Sequence, residues 1–394
     1  MRHRGSRSAR LRGVVLVGAL LAGACGQGPD EVLTRAAGPG QASSTTSSTA
    51  PTTTMPPPAP TATPSASPTT EPAVTPGTDD APGGGTPSPP EAPGARSLKV
   101  TEVARGLDTV WAMAFDPDGR LWFTERGGRL TRLGEPARNV AGVVESGEGG
   151  LMGLEIDGRG RVFVMYTSAT DNRVVRLEPD GSQTVLVDGI ARAAIHNGGR
   201  LSFGPQGSLY AATGDAATPE LAQDQASRNG KVLRIDPDGG GAEVFTSGHR
   251  NVQGLCADAD GRLRATEHGP DRGDEVNTLT AGFNGGWPGS VGTGIQNYTP
   301  TIAPAGCAVY TGGLISSWQG SMLFVTLKGQ DLRRLTFGVG GSVTGEEVLF
   351  DGDFGRLRDV AVAPDGSVYL ATSNRDGRGS PAGGDDRILR VAPG

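Results

Sequence analysis

The chain has 394 residues, with 36 Lys and Arg against 42 Asp and Glu for a formal net charge of −6. That acidic balance gives no support to nucleic-acid binding, whose electrostatic footprint is basic. Glycine is abundant at 64 residues while aromatics make up 5%, the composition of a chain built from turns and short strands.

Residues 1–24 carry five arginines (Arg2, Arg4, Arg7, Arg10 and Arg12), an apolar run from Val14 to Ala22, and then Gly23 and Ala24. A basic, apolar, small-residue sequence of this kind reads as an export signal, too short to span a membrane as a stable helix. Cys25, directly after it, resembles the acceptor cysteine of a bacterial lipoprotein. That resemblance implies a signal peptide over 1–24 and a lipidated Cys25 holding the protein on the extracytoplasmic face of the cell membrane. An ordinary cleaved signal with an incidental cysteine is the alternative. Residues 26–96 are dominated by Thr, Ser, Pro, Ala and Gly. Such a segment cannot bury enough apolar surface to offset its ordering entropy, so 25–96 is expected to be a disordered tether.

Residues 97–394 are the part able to build a core. Within them a turn glycine followed by a short strand recurs six times, at Gly119, Gly160, Gly207, Gly261, Gly320 and Gly366, spaced by roughly 40–60 residues as four-stranded blades require. FDPDGRLWFTE (Phe115 to Glu125) and VAPDGSVYLATSN (Val362 to Asn374) are typical. Asp-Gly between alternating apolar runs is a hairpin turn, because glycine accepts the positive φ that a tight turn demands. The expectation is an all-β, six-bladed β-propeller of four-stranded antiparallel blades. Leu98 to Val103 can pair with Arg387 to Val391 to join the last blade to the first, so that no sheet edge stays open.

Two cysteines fall in successive repeats, Cys256 and Cys307. Their default reading is two buried small hydrophobes, with a disulfide as the alternative in an oxidising compartment.

The polar residues keep a phase within the repeats. Glu148, His196, Arg250, Arg356 and Arg358 precede their turn glycines by similar distances, and Glu125, Asp215, His268 and Lys328 follow theirs. The start of one hairpin strand lies beside the end of the next, so both sets face one mouth of the propeller. His196 and Asp215 there supply what general-base chemistry needs, an imidazole titrating near neutrality and a carboxylate to fix its tautomer. The several cations imply a small anionic ligand.

GHRNVQGL (Gly248 to Leu255), TEHGPDRGDEVN (Thr266 to Asn277), GEGGLMGL (Gly147 to Leu154), HNGGRLSFGP (His196 to Pro205) and FGRLRDVAVAPDG (Phe354 to Gly366) resemble the glucose/sorbosone dehydrogenase family. Its members are quinoproteins that use pyrroloquinoline quinone (PQQ) and calcium. The resemblance implies an aldose sugar oxidised to a lactone, with electrons passing to a respiratory acceptor. It implies His196 as the base for the anomeric hydroxyl and Asp215 as its orienting partner. Arg250 and Asn251 would contact the quinone oxygens, while Lys328, Arg356 and Arg358 would pair with the cofactor carboxylates. The carbonyls of Gly269 and Pro270 would hold calcium, with Asp274 and Glu275 supporting that loop.

Glu148 stands at a cofactor-facing position where members of the family commonly have glutamine. A carboxylate there places negative charge beside an anionic cofactor and weakens its binding unless calcium or protonation offsets it. The segment from Ala216 to Glu220 offers a sugar little polar recognition. Both departures leave a second reading, a non-catalytic propeller lipoprotein that binds a cell-envelope glycan, another anion or a protein.

Overall fold

The computed structural model describes residues 97–394; the leader, Cys25 and the tether lie outside the described residues. Six four-stranded antiparallel sheets are arranged in chain order, and the only helical elements among the described residues are three short 3-10 turns. No helix there is long and apolar enough to cross a membrane.

The six turn glycines join the first and second strands of every blade. Each has the positive φ expected of it, between 74° at Gly320 and 84° at Gly366. The first strands are Val110–Phe115, Leu151–Ile156, Leu201–Phe203, Val252–Ala257, Pro304–Val309 and Leu357–Val362. Each touches the first strand of the blades on either side, the sixth returning to the first, so these six strands form a closed ring about an axis. Closure is completed at the rim, where Leu98–Ala104 pairs antiparallel with Ile388–Pro393. That extends the expected strand by one residue and seals the last sheet.

Apolar side chains pack between blades. Trp111, Met152, Phe163 and Leu201 share one buried cluster, and Val110, Phe123, Ala371 and Ile388 another that joins the first blade to the sixth. In five of the six blades the pairing of first and second strands slips by a bulge near its start. A bulge bends the strand and re-aims the side chains beyond it. Because every bulge lies at the end remote from the turn glycine, one mouth receives five re-aimed strand ends.

Cys256 and Cys307 are bonded to each other, with Cα atoms 5.8 Å apart; this overturns the reading of two independent small hydrophobes. They lie on the first strands of the fourth and fifth blades, which are close enough around the axis to bring the two thiols together. The loop closed by the bond spans 51 residues, so replacing both cysteines by alanine should cost about 2–4 kcal/mol. An equilibrium urea titration of the variant, and of the native protein with and without a reductant, checks this.

Candidate functional site

The mouth is built from the ends of the first strands and the loops that follow the second strands. His196 lies five residues ahead of the strand Leu201–Phe203 and has φ 59°, a left-handed conformation that costs a non-glycine residue unless its surroundings impose it. Here they do. Its N–H donates to Glu148 Oε2 at 3.0 Å, and its carbonyl accepts from the Ala216 N–H. A Cβ at Gly214 would lie 2.0 Å from that carbonyl, so only glycine lets the two chain segments approach.

The imidazole Nδ1 lies 2.8 Å from Asp215 Oδ1. Asp215 is fully buried, and the same oxygen accepts the Ala217 N–H at 2.8 Å. An ionised carboxylate accepts only, so opposite one Nδ1 is the donor, and in a neutral ring the lone pair then falls on Nε2. No protein group among the described residues bonds to Nε2. The pair therefore leaves Nε2 of His196 open to the mouth.

Arg250 and Asn251 are placed beside this pair, since Asp215 N–H donates to the Arg250 carbonyl and Gly214 bridges to Asn251. Asn251 uses its side-chain oxygen on Gly198 N–H and Gln253 Nε2, which leaves its amide donors for a ligand. Arg250 donates through Nη1 to the Gly269 and His268 carbonyls, at 2.9 and 3.3 Å. Burial pushes its guanidinium below the ordinary arginine value, with nearby Asp215 and Glu267 opposing that. Behind it His249 is wholly buried between Thr246 and Glu267, and Glu267 also accepts the Arg250 N–H.

Arg358 is buried and gives Nη1 to Gln253 Oε1 at 2.7 Å, while its Nε finds no partner. Burial pushes its pKa down to about 10, against the pull of Asp376. It shares a narrow cavity with Trp111, Glu148, Asn251, Gln253 and His268. His268 donates from Nε2 to the Pro304 carbonyl at 2.9 Å, and burial, reinforced by Arg358, drives its pKa to about 3. It is a neutral ring in a cationic cavity.

The remaining expected residues are placed less centrally. Arg356 is buried but committed, giving Nε and Nη2 to Asp376 Oδ2 and Nη1 to the Leu327 carbonyl. Lys328 is exposed at the rim and donates to Thr301 Oγ1 at 2.8 Å. Glu125 belongs to its own blade, paired with Arg129. Asp274 supports the 269–270 turn by accepting the Gly269 N–H at 2.8 Å. Glu275 does not: it accepts the N–H groups of Thr293 and Gly294.

Glu148 is ionised. Burial works to raise its carboxyl, but the His196 N–H and the Arg378 guanidinium outweigh this and hold it below the usual carboxylate value. Arg378 reaches Oε1 at 2.6 Å. It comes from the loop between the strands Val368–Thr372 and Ile388–Pro393, which Arg356 anchors through Asp376. Protonation, one of the two offsets open to Glu148 from sequence, is replaced by an ion pair.

Sequence reasoning passed over Arg378, Gln253, Trp111 and Trp287. Gln253 lies inside the GHRNVQGL motif, and the long loop carrying Arg378 was a signal in itself. Trp287, in a glycine-rich turn, donates its indole N–H to Asp215 Oδ2 at 2.9 Å.

As to fit, three arginines border the cavity or its entrance, and one keeps a buried donor unused, as a polyanionic ligand requires. No group of three or more His, Cys, Asp or Glu side chains among the described residues is poised for a metal. A hard cation here would take carbonyl oxygens, and those of His268 and Gly269 already converge on the positive Arg250.

Comparison with known proteins follows the same lines. The Glucose / Sorbosone dehydrogenase family matches residues 107–389. The chain is 37% identical to the PQQ-bound aldose sugar dehydrogenase of Streptomyces coelicolor, with a TM-score of 0.68 over 76% of this chain and 99% of that one. It is 29% identical to the aldose sugar dehydrogenase of Escherichia coli over 75% of this chain and 93% of the relative. With the quinoprotein glucose dehydrogenase B of Acinetobacter calcoaceticus it shares 23% identity over 70% and 85% of the two chains.

His268 yields a pH prediction. Its folded pKa lies below the unfolded value of about 6.5, so between about pH 6.5 and 3 the unfolded chain binds the proton and the folded chain does not. Stability then falls as acid is added across that window. The imidazole resonances of His268 should stay flat from about pH 8 down to 5, and His268→Gln should flatten part of the acid limb of the urea-midpoint profile.

Proposed function

The chain belongs to the Glucose / Sorbosone dehydrogenase family, and from that premise we propose that it is a PQQ- and calcium-dependent aldose sugar dehydrogenase, lipid-anchored through Cys25 on the outer face of the cell membrane. One observation carries the reading: the carboxylate-bonded imidazole of His196 opens beside Arg250, whose side chain donates only to carbonyls among the described residues, and near buried Arg358, whose Nε has no partner there.

His196 takes the proton of the anomeric hydroxyl on Nε2. Asp215 holds the opposite nitrogen as N–H and stabilises the imidazolium that forms, the role a buried carboxylate plays behind a catalytic histidine. Loss of that proton and of the hydride on the anomeric carbon leaves the lactone. Bound PQQ would supply the hydride acceptor, with calcium as the Lewis acid on its oxygens. Arg358, Arg250 and Asn251 would hold the cofactor, and the Gly269 and Pro270 carbonyls would hold the ion, Gly269 through the lone pair that Arg250 leaves free. Lys328 would meet a carboxylate group at the rim, and the buried Arg356 would do so by sharing its guanidinium with Asp376. The electrons removed from the sugar would leave the site for a respiratory acceptor.

Glu148 with Arg378 supports this function rather than the non-catalytic alternative, since the pair is close to neutral and the carboxylate fixes the backbone of His196.

Calorimetric titration of the purified full chain with PQQ should show binding that requires calcium, followed by aldose-dependent dye reduction. His196→Ala should lower kcat by about 10²–10⁴-fold while leaving quinone binding within a few-fold. No binding at high micromolar quinone would sink the proposal. Arg378→Ala should weaken quinone binding, because it exposes an uncompensated Glu148, and adding Glu148→Gln should restore it.

A further inference from the structure

Asp215 is held from three sides. Oδ1 takes His196 Nδ1 and the Ala217 N–H, each at 2.8 Å, while Oδ2 takes Trp287 Nε1 at 2.9 Å. The indole comes from the loop between the strands Asp274–Leu279 and Gln296–Tyr298 of the fourth blade and crosses to a carboxylate of the third. Its ring also lies over Arg250, with the guanidinium carbon 5.5 Å from the ring centroid. One side chain thus touches both the partner of the base and the cation beside it.

The loop is braced for this placement. The Trp287 N–H donates to the Gly248 carbonyl at 3.0 Å, and its own carbonyl accepts Gln223 Nε2 at 2.7 Å. Gln223 and Asn284 exchange two side-chain hydrogen bonds. Trp287 is itself only partly buried, so filling a core does not account for this bracing.

We propose that Trp287 is a positioning residue for the dehydrogenation. Its N–H locks Asp215 in the one orientation that keeps His196 as the Nδ1–H tautomer, and its ring holds Arg250 against the mouth. A carboxylate anchored at one oxygen alone is free to turn about its last torsion and lose the line to Nδ1. With Oδ2 tied, that rotation breaks a charge-assisted hydrogen bond. This inference rests on the function proposed above only in its kinetic consequence; the tautomer it fixes belongs to the protein without cofactor.

The test compares Trp287→Phe, which removes the N–H and keeps a ring, with Trp287→Ala, which removes both. In the full chain free of quinone and calcium, the Nδ1–H proton of His196 is followed by NMR. His249 serves as internal reference, since its Nδ1 bonds Glu267 Oε2 at 2.8 Å, a carboxylate to which the indole N–H makes no hydrogen bond. Trp287→Phe should shift or broaden the His196 resonance and leave that of His249 in place. With quinone and calcium loaded, it should lower kcat by about 10–100-fold, the range typical when an orienting partner is lost, with sugar KM and quinone Kd within about twofold. Trp287→Ala should weaken quinone binding as well. In an Asp215→Asn background, Trp287→Phe should cost nothing further in kcat, the signature of action through Asp215.

An unmoved His196 resonance in a folded Trp287→Phe protein overturns the proposal, and so does additive loss in the double variant. If the native protein oxidises no aldose, the enzyme reading falls while the resonance still decides whether Trp287 positions His196.

Discussion

A buried ion pair across the axis sets the floor on which the mouth stands. Arg200, from the first strand region of the third blade, gives Nη1 to Asp359 Oδ1 of the sixth at 2.8 Å. The same guanidinium donates to the Gln253 carbonyl of the fourth blade and lies over the Trp111 ring of the first, 4.5 Å from its centroid. Asp359 Oδ2 accepts the Met113 N–H at 2.6 Å. Burial pushes the Asp359 carboxyl up and the Arg200 guanidinium down, and each partner opposes the shift of the other. Two such charges are costly to desolvate, and a hydrophobic plug of equal volume could be at least as stable. What the pair adds is direction: one guanidinium ties four of the six blades at defined angles.

From that floor upward the site is a stack of arginines with few anions between them. Arg358 sits above Arg200 and shares its contacts with Trp111 and Gln253, and Arg250 lies nearer the opening. The anions that do enter are spent on geometry. Asp215 orients an imidazole, Glu148 fixes the backbone of His196, and Asp376 holds a loop. The backbone shows the same economy, for His196, Ala216 and Ala217 all have positive φ, at 59°, 51° and 58°. Non-glycine residues in that region cluster where a rigid scaffold over-determines them, and here they flank one carboxylate. The strain is affordable because the blades beneath are fully paired sheets.

The architecture was legible because its signals are local. A turn glycine between alternating strands states its own hairpin, and six of them with one closing strand state the ring. The phase of His196 and Asp215 within the repeat was enough to bring them together. The site residues that escaped are those whose roles depend on distance in sequence: Trp287 lies 72 positions from the carboxylate it binds, and Arg378 reaches back to Glu148 across the closure of the ring. Cys256 and Cys307 were misjudged for a related reason, since sequence shows neighbouring blades but not that their first strands approach to 5.8 Å between these two Cα atoms. Motifs list what a blade contributes. They are silent on what the next blade does with it.

Glu148 illustrates why a substitution must be read with its partners. Set against the glutamine common at that position, the acid is a repulsive charge facing an anionic ligand. In place, it accepts the His196 N–H at 3.0 Å and meets Arg378 at 2.6 Å, so the carboxylate is neither protonated nor isolated. A neutral amide oxygen could also accept the N–H, but it would leave Arg378 without an anion, adding a positive charge at the entrance. The acid therefore gives up part of the attraction for an anionic ligand in return for a more rigid His196, since the charged acceptor grips its strained backbone more strongly than an amide would. Electrostatic attraction remains available from Arg250 and Arg358, while nothing else among the described residues accepts the His196 N–H. On that balance the charge at position 148 belongs to the machinery of the mouth.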